Sequence, residues 1–332
     1  MDQVALIGPN DGKSLKYHVE ASRKYNTLIQ RTFYICAETP EISQLVQKIN
    51  SENVIFIPES TLLSPQICSN KWIYQQLLKL SVDQLRNSHN LSELFLFTDV
   101  DTIAIRDVKE DLFFRDGQPI YYMRSRHAKP ILCKEYQETD EALPVQQNYL
   151  DWHYAMTYST LDLLNLKNKP ELSAIDACVI WSQKTLRRLK RHIEKVNGLP
   201  WQHAIVNKWI QFLCKHQAYF QQESGFRNIS FSQRKTDKVL SVEYLHSNMR
   251  LGFSEWQLYT YFNSYIEKSD KRWLGLMGKA NGPHVAEFNE AASNQEVLKE
   301  VLNSKTPPSF LYFYPAIQKS EKLLNEYFNL DS

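Results

Sequence analysis

The stretch "LFLFTDVDTIAI", residues 94–105, decides how this chain is read. Four apolar residues, Leu94 to Phe97, run through Thr98 into two carboxylates one residue apart, Asp99 and Asp101. A short apolar run of this kind predicts a buried strand. Side chains alternate along a strand, so Asp99 and Asp101 project toward the same side at its carboxyl end. Two carboxylates held there repel each other unless a cation sits between or beside them. A hard divalent ion such as Mg²⁺ or Mn²⁺ is what such oxygen donors take, its shell completed by phosphate oxygens and water. Acidic turns are common, so the pair takes its weight from context: the apolar strand before it and "TIAIRD", residues 102–107, after it.

Working outward, the preceding sequence alternates between two periods. "VALIG" (4–8), "TFYICAE" (32–38) and "NVIFIPE" (53–59) read as short apolar strands, with helix-like "SLKYHVEASRKYN" (14–26) between the first two. "KWIYQQLLKLSVDQL" (71–85) reads as one helix before the acidic strand. Such alternation predicts an α/β fold, Rossmann-like, with a mixed, mainly parallel central sheet flanked by helices and ligands at the carboxyl ends of its strands. "LIGPNDGK" (6–13) follows the first strand and places Gly8, Pro9, Asn10 and Asp11 where a base or ribose sits in such a sheet; it lacks the spacing of a Walker loop, and a plain turn is the alternative. In the helix, Trp72, Gln76 and Lys79 share one stripe and Ile73, Leu77 and Leu80 an adjacent apolar one. One stripe packs and the other faces a ligand: Lys79 suits a phosphate as a point charge, and Gln76 a sugar or phosphate oxygen.

After "PIYYMRS" (119–125) the text changes: residues 124 to 150 are polar and aperiodic, which reads as a long loop or a loosely helical excursion. "SQKTLRRLKRHIEKVNG" (182–198) is an amphipathic helix with a capping serine and a glycine stop. Its outer face carries Arg187, Arg188, Lys190, Arg191 and Lys195, a charge set for anionic lipid, for a polyanionic acceptor or simply for water. "PWQHAIVNKWIQFL" (200–213) and "GFSEWQLYTYFNSYI" (252–266) supply two more helices, the second with Ser254 and Gln257 spaced as a capping box. Glu255 lies beside that cap without serving it, so it is read as available to a site as a general base, or as a favourable charge at a helix start. The tail holds an apolar "SFLYFY" (309–314) and a final helix through "KSEKLLNEYF" (319–328), with no linker that cuts the chain into separate domains.

Composition narrows the class. Lys and Arg number 39 against 37 Asp and Glu, so no global charge points to nucleic acid. The five cysteines are scattered with no CxxC pair, which fits reduced thiols in a cytoplasm and no structural zinc. No signal-like start and no apolar run near the roughly 20 residues of a membrane span are visible. The expectation is a cytoplasmic protein, either soluble or peripheral at the inner membrane face through the 184–195 basic helix.

The acidic strand resembles that of the GT-A class of glycosyltransferases, whose Asp-x-Asp ends such a strand. "LLKLSVDQL" followed by "FTDVDT" is similar to glycogenin-like families. The nearer similarity is to uncharacterised bacterial GT-A-like proteins with three ordered blocks, here "WIYQQLLKL", "DVD" and "SEWQLY". It covers roughly residues 1–120 and 240–265. The resemblance implies one GT-A-like domain over 1–332: a nucleotide-sugar half (1–120), an acceptor half (121–290) and a C-terminal strand and helix (291–332). It implies transfer of a sugar from a nucleotide-diphosphate donor to a hydroxyl of a glycan or lipid-linked glycan, in bacterial surface polysaccharide synthesis. Mn²⁺ or Mg²⁺ on Asp99 and Asp101 would assist, with His284, or alternatively His246, as a carboxy-terminal ligand. The donor would meet Gly8, Pro9, Asn10, Asp11, Trp72, Gln76, Lys79 and Asp99. Glu255 is the favoured base, Asp176 in "LSAIDACVIWSQ" its rival, and Trp152 and His153, with Tyr154, in "LDWHYAM" form an acceptor platform. Glycogenin-like proteins retain anomeric configuration whereas a Glu255 base implies inversion, so the outcome stays open. The alternatives are a metal-dependent nucleotidyl- or phosphotransferase and a sugar-nucleotide or glycan-binding protein without turnover.

Overall fold

The computed structural model describes residues 1–49, 52–125, 159–166, 172–173, 178–215, 254–267, 273–276, 285–288, 295–303, 310–313 and 317–330. The chain opens with β1 (Asp2–Ile7), α1 (Gly12–Tyr25), β2 (Arg31–Cys36), α2 (Pro40–Lys48) and β3 (Val54–Pro58). It continues with α3 (Lys71–Leu80), α4 (Leu85–His89), β4 (Leu94–Asp99), β5 (Thr102–Ala104), β6 (Phe114–Arg115) and β7 (Gln118–Ser125). Then follow helical residues 159–164, β8 (Leu172–Ser173), β9 (Cys178–Ser182), α5 (Gln183–Asn197), α6 (Trp201–Lys215) and α7 (Glu255–Tyr261). The last described elements are β10 (Trp273–Leu276), β11 (Val285–Phe288), α8 (Gln295–Leu302), β12 (Phe310–Phe313) and α9 (Ile317–Phe328).

The central sheet has the order β3-β2-β1-β4-β9. Its first four strands are parallel, and β9 runs antiparallel on β4, from Thr98 opposite Cys178 to Leu94 opposite Ser182. Two smaller sheets, β10-β7-β6 with β8 antiparallel on β7, and β11-β12-β5, complete the described strands. The fold is therefore α/β with a mixed, mainly parallel sheet flanked by helices, as the alternation of periods predicts.

Alternation along β1 sorts the two faces. Val4 and Leu6 join Phe33, Ile35, Phe95, Phe97 and the α3 residues Ile73 and Leu77 in one core. Ala5 and Ile7 point the other way, to Leu15 and Val19 of α1 and Ile42 of α2. Helices α1 and α2 thus cover one face and α3 the opposite one, so the strand order reverses between β1 and β4. Loops leaving the carboxyl ends on either side of such a reversal open a crevice. The turn after β1 and the acidic turn after β4 both lie there.

Two segments depart from the expected reading. The helix over 71–85 is interrupted: α3 stops at Leu80, the Ser81 hydroxyl donates to the Leu77 carbonyl at 2.9 Å, and a 3₁₀ turn over Val82–Gln84 leads into α4. The strand over 94–105 also breaks. Val100, 2% exposed, turns into the core beneath α1 and α2, and β5 leaves to pair antiparallel with β12. Elsewhere local signals hold: Ser182 Oγ accepts from Thr185 N at 3.2 Å at the start of α5, and Gly198 ends that helix at φ +68°, a conformation that costs glycine little. Ser254 Oγ likewise accepts from Gln257 N at 3.3 Å at the start of α7.

An aromatic stack ties α7 to the sheet. Trp181 of β9 lies nearly parallel to Phe97 of β4 (centroids 4.6 Å) and to Tyr259 of α7 (5.1 Å), while Trp256 closes against both Phe97 and Trp181 at 5.3 Å. The backbone N–H of Ser182 donates to the Tyr259 hydroxyl at 2.7 Å. Each such ring pair adds about 0.5–1.5 kcal/mol beyond the area it buries, and together they fix where α7 begins relative to the end of β4.

Candidate active site

Phe95, Phe97 and Asp99 lie on one face of β4, so the last residue of the strand continues an apolar row into a polar box. Lys79, from the last turn of α3, reaches that box: its Nζ is 2.8 Å from Asp99 Oδ1 and 2.7 Å from Glu255 Oε1. The ammonium also stands over the rings of Trp256 (5.1 Å) and Phe97 (5.9 Å), a cation–π setting. With its carboxamide nitrogen turned to Glu255, Gln76 donates to Glu255 Oε1 at 2.9 Å and also to Oε2. Gln76, Lys79 and Glu255 are all buried. Burial pulls the Lys79 ammonium down, but Asp99 and Glu255 hold it above the ordinary lysine value, so it stays charged.

The other side of the crevice is the turn after β1. Gly8 N donates to Asp11 Oδ2 at 2.7 Å, and Asp11 N returns to the Gly8 carbonyl at 3.2 Å. A Cβ on Gly8 would stand 2.9 Å from Asp11 Oδ2, so a larger residue there would push the Asp11 carboxylate off the Gly8 backbone. Pro9 and Asn10 are exposed at the tip while Asp11 is half-buried. Burial raises the Asp11 carboxyl above the usual range, and Asp99 adds to the rise.

Asp101 completes the arrangement. Its Oδ1 is sealed from solvent and has no hydrogen-bond partner among the described residues. Burial, then Asp99, then Asp11 push its carboxyl well above the ordinary value, with Lys79 the opposing charge. A buried carboxylate oxygen facing two like charges with no donor is an arrangement that a cation relieves. Among the described residues no group of three His, Cys, Asp or Glu side chains stands ready to hold a metal. Among the described residues Asp99 and Asp101 therefore make a partial shell, which phosphate oxygens and water can extend.

The structure thus brings together Asp11, Gln76, Lys79, Asp99, Asp101 and Glu255, and it corrects two expectations about them. The Gln76 and Lys79 stripe does not face outward: the polar groups of that stripe turn inward to Glu255 and Asp99, because α3 is covered by α7. Trp72, half-buried, packs against the core. Glu255 is 2% exposed and both of its oxygens accept from Lys79 or Gln76, so it is not presented to an acceptor hydroxyl. The basic face of α5 is also partly consumed within the fold: Arg188 pairs with Glu267 at 3.1 Å, Arg187 with Glu93 at 3.9 Å, and Lys190 with Asp83. Asp176, His246, His284, Trp152, His153 and Tyr154 lie outside the described residues.

One buried cluster near the site escaped the sequence reading. On the α1 face, Gln3, His18, Tyr34 and Thr98 form a buried network: His18 Nδ1 meets the Tyr34 hydroxyl at 2.7 Å, and Gln3 Nε2 donates to Thr98 Oγ1 at 3.0 Å. His18 Nε2 lies 3.3 Å from both Gln3 Nε2 and Thr98 Oγ1. Thr98 immediately precedes Asp99, so this network underlies the end of the acidic strand. The one available signal was a polar residue, Gln3, inside an apolar strand.

No curated protein matches the sequence. Two crystal structures of the galactosyltransferase LgtC are similar in outline. One, in complex with donor and acceptor sugar analogs, has 11% identity and a TM-score of 0.41 over 98% of this chain and 95% of that one. The other, an active-site mutant of LgtC, has 10% identity and a TM-score of 0.40 over 96% and 94%. Likeness at that level leaves function to the site itself. Residues 23–274 match the family described as "Family of unknown function (DUF6492)", and the chain belongs to that family.

Proposed function

We propose that this protein is a GT-A-like glycosyltransferase that takes a nucleotide-diphosphate sugar and a divalent cation, Mn²⁺ or Mg²⁺, in the crevice between β1 and β4. The observation that carries the reading is the carboxylate pair at the strand-order reversal, with Asp101 Oδ1 buried and without a partner among the described residues. The donor set is hard oxygen, which fits such a cation. Asp99 and Asp101 would hold it. Once bound, it supplies Lewis-acid stabilisation of the charge that develops on the leaving diphosphate.

The chain's own groups do the rest. The Gly8–Asp11 turn, with exposed Pro9 and Asn10, would meet the base or ribose beside the reversal. Lys79 carries three N–H donors, two of them directed to Asp99 and Glu255, which leaves one for an oxygen of the donor. Its fixed positive charge offsets part of the repulsion between the acidic crevice and a diphosphate. With Glu255 enclosed, Asp176, two residues before β9, is the base candidate, and Trp152 and His153 remain the proposed acceptor platform. The acceptor is a hydroxyl of a glycan or lipid-linked glycan. Inner-face membrane contact through the exposed Lys184, Arg191 and Lys195 stays part of the proposal.

The test is a thermal-shift screen of nucleotide sugars with and without Mn²⁺, since a ligand that binds the folded state raises Tm by mass action. It is followed by product analysis with the stabilising donor. Cation-dependent release of nucleoside diphosphate, abolished by EDTA and restored by Mn²⁺ or Mg²⁺, is the expected result. Pyrophosphate release would indicate nucleotidyl transfer, binding without release a turnover-free binding protein, and full activity after exhaustive chelation would remove the cation from the reading.

A further inference from the structure

The Lys79–Glu255 pair joins α3 to α7 across 176 residues of sequence, inside an aromatic box and a single bond away from Asp99. A lysine buried to 4% exposure requires compensation. One carboxylate would neutralise it, yet two flank it, and the second is oriented by the buried Gln76. Formal charges explain the surplus. Were Lys79 paired with Asp99 alone, the ammonium would neutralise one of the two carboxylates offered to a cation. Glu255 divides the ammonium's attraction and returns negative charge to Asp99.

We propose that Glu255 is a positioning residue: with Gln76 it shares Lys79 with Asp99, and this sharing sets how strongly the Asp99–Asp101 pair holds a divalent cation. The proposal rests on the cation-binding reading above and assigns Glu255 a role other than proton abstraction. Lys79 and Glu255 then act on the cation with opposite sign. Removing the ammonium frees Asp99 Oδ1 and makes the crevice more negative. Removing the Glu255 charge leaves the ammonium wholly on Asp99 and makes the crevice less negative.

The experiment measures Mn²⁺ affinity by electron paramagnetic resonance of the free ion, without any donor, together with Tm of the metal-free protein. Glu255→Gln, which preserves shape, should weaken Mn²⁺ binding roughly tenfold, the order expected for one charge at this range in a partly screened site. Lys79→Met should tighten Mn²⁺ binding while lowering the metal-free Tm, because Glu255 is left buried and unpaired. The double variant Lys79→Met/Glu255→Gln should recover most of the lost Tm and return Mn²⁺ affinity toward that of the wild-type protein. A Lys79→Met protein too unstable to titrate leaves the double variant and Glu255→Gln to decide.

Weaker Mn²⁺ binding in both single variants, with no recovery in the double, would mean a merely structural pair and overturn the proposal. Unchanged Mn²⁺ affinity in Glu255→Gln would also overturn it, while leaving the cation reading intact. A wild-type protein that binds no Mn²⁺ would instead overturn the cation reading and this inference with it, so the two failures are distinguishable.

Discussion

Asp101→Asn offers the sharpest separation between a fold that needs its acidic turn and a fold that tolerates it for the sake of a ligand. Asp101 Oδ1 is buried without a hydrogen-bond donor among the described residues, and Asp99 and Asp11 both oppose its ionisation. A buried unsatisfied polar group costs about 1–3 kcal/mol, and an amide of the same shape removes the like-charge repulsion and can donate to a neighbouring carboxylate. Asp101→Asn should therefore stabilise the metal-free protein by about 1–3 kcal/mol, a rise in Tm of roughly 2–6 °C. The same change should abolish the further stabilisation that Mn²⁺ gives the wild-type protein, since it halves the carboxylate pair. Differential scanning calorimetry at neutral pH, with EDTA and with Mn²⁺, reads both effects. A variant less stable than wild type in EDTA would show that the Asp101 carboxylate supports the fold, and a variant still stabilised by Mn²⁺ would show that the cation is held elsewhere. Either result refutes the reasoning.

Three other outcomes are expected. Gly8→Ala places a Cβ 2.9 Å from Asp11 Oδ2, so it should cost about 1 kcal/mol through the displaced Gly8–Asp11 hydrogen bond and weaken nucleoside diphosphate binding several-fold by calorimetry; unchanged affinity would take the turn out of the donor site. Ser182→Ala removes the cap that accepts from Thr185 N and the hydroxyl bond to Glu93 Oε1 at 2.8 Å, and should cost about 1–2 kcal/mol in urea unfolding without altering ligand affinity. His18 is wholly buried, and that burial depresses it to about 3 from an ordinary 6.5. Between those values the unfolded chain binds more protons, so stability rises with pH across that window and is lost as pH falls, by up to about 1.4 kcal/mol per pH unit. His18→Gln should flatten this limb in denaturant titrations at pH 4 to 7, and an unaltered slope would place the titrating group elsewhere.

What the sequence determined by itself was local and periodic. Apolar runs punctuated by polar turns specify β1 to β4, and the 3.6-residue stripe with Ser182 and Gly198 specifies α5, because these signals lie within a few residues of the structure they produce. Asp99 was legible for the same reason, as the last residue of the apolar strand β4, whereas Asp101 lies in the turn between β4 and β5, where strand alternation no longer applies. What only the tertiary structure decided was which stripe of α3 faces what. Gln76 and Lys79 read as a solvent- or ligand-facing row, since glutamine and lysine are seldom buried. Their burial depends on Glu255, 176 residues later in the Lys79 pair, and no local pattern carries the position of a distant carboxylate. The same holds for Glu255, whose apparent freedom at a capped helix start ended when the Phe97–Trp181–Tyr259 stack docked α7 against β4 and brought it to Lys79. Charge balance in a buried site is a property of elements that meet only in the folded chain, and it is there that the role of each charge was fixed.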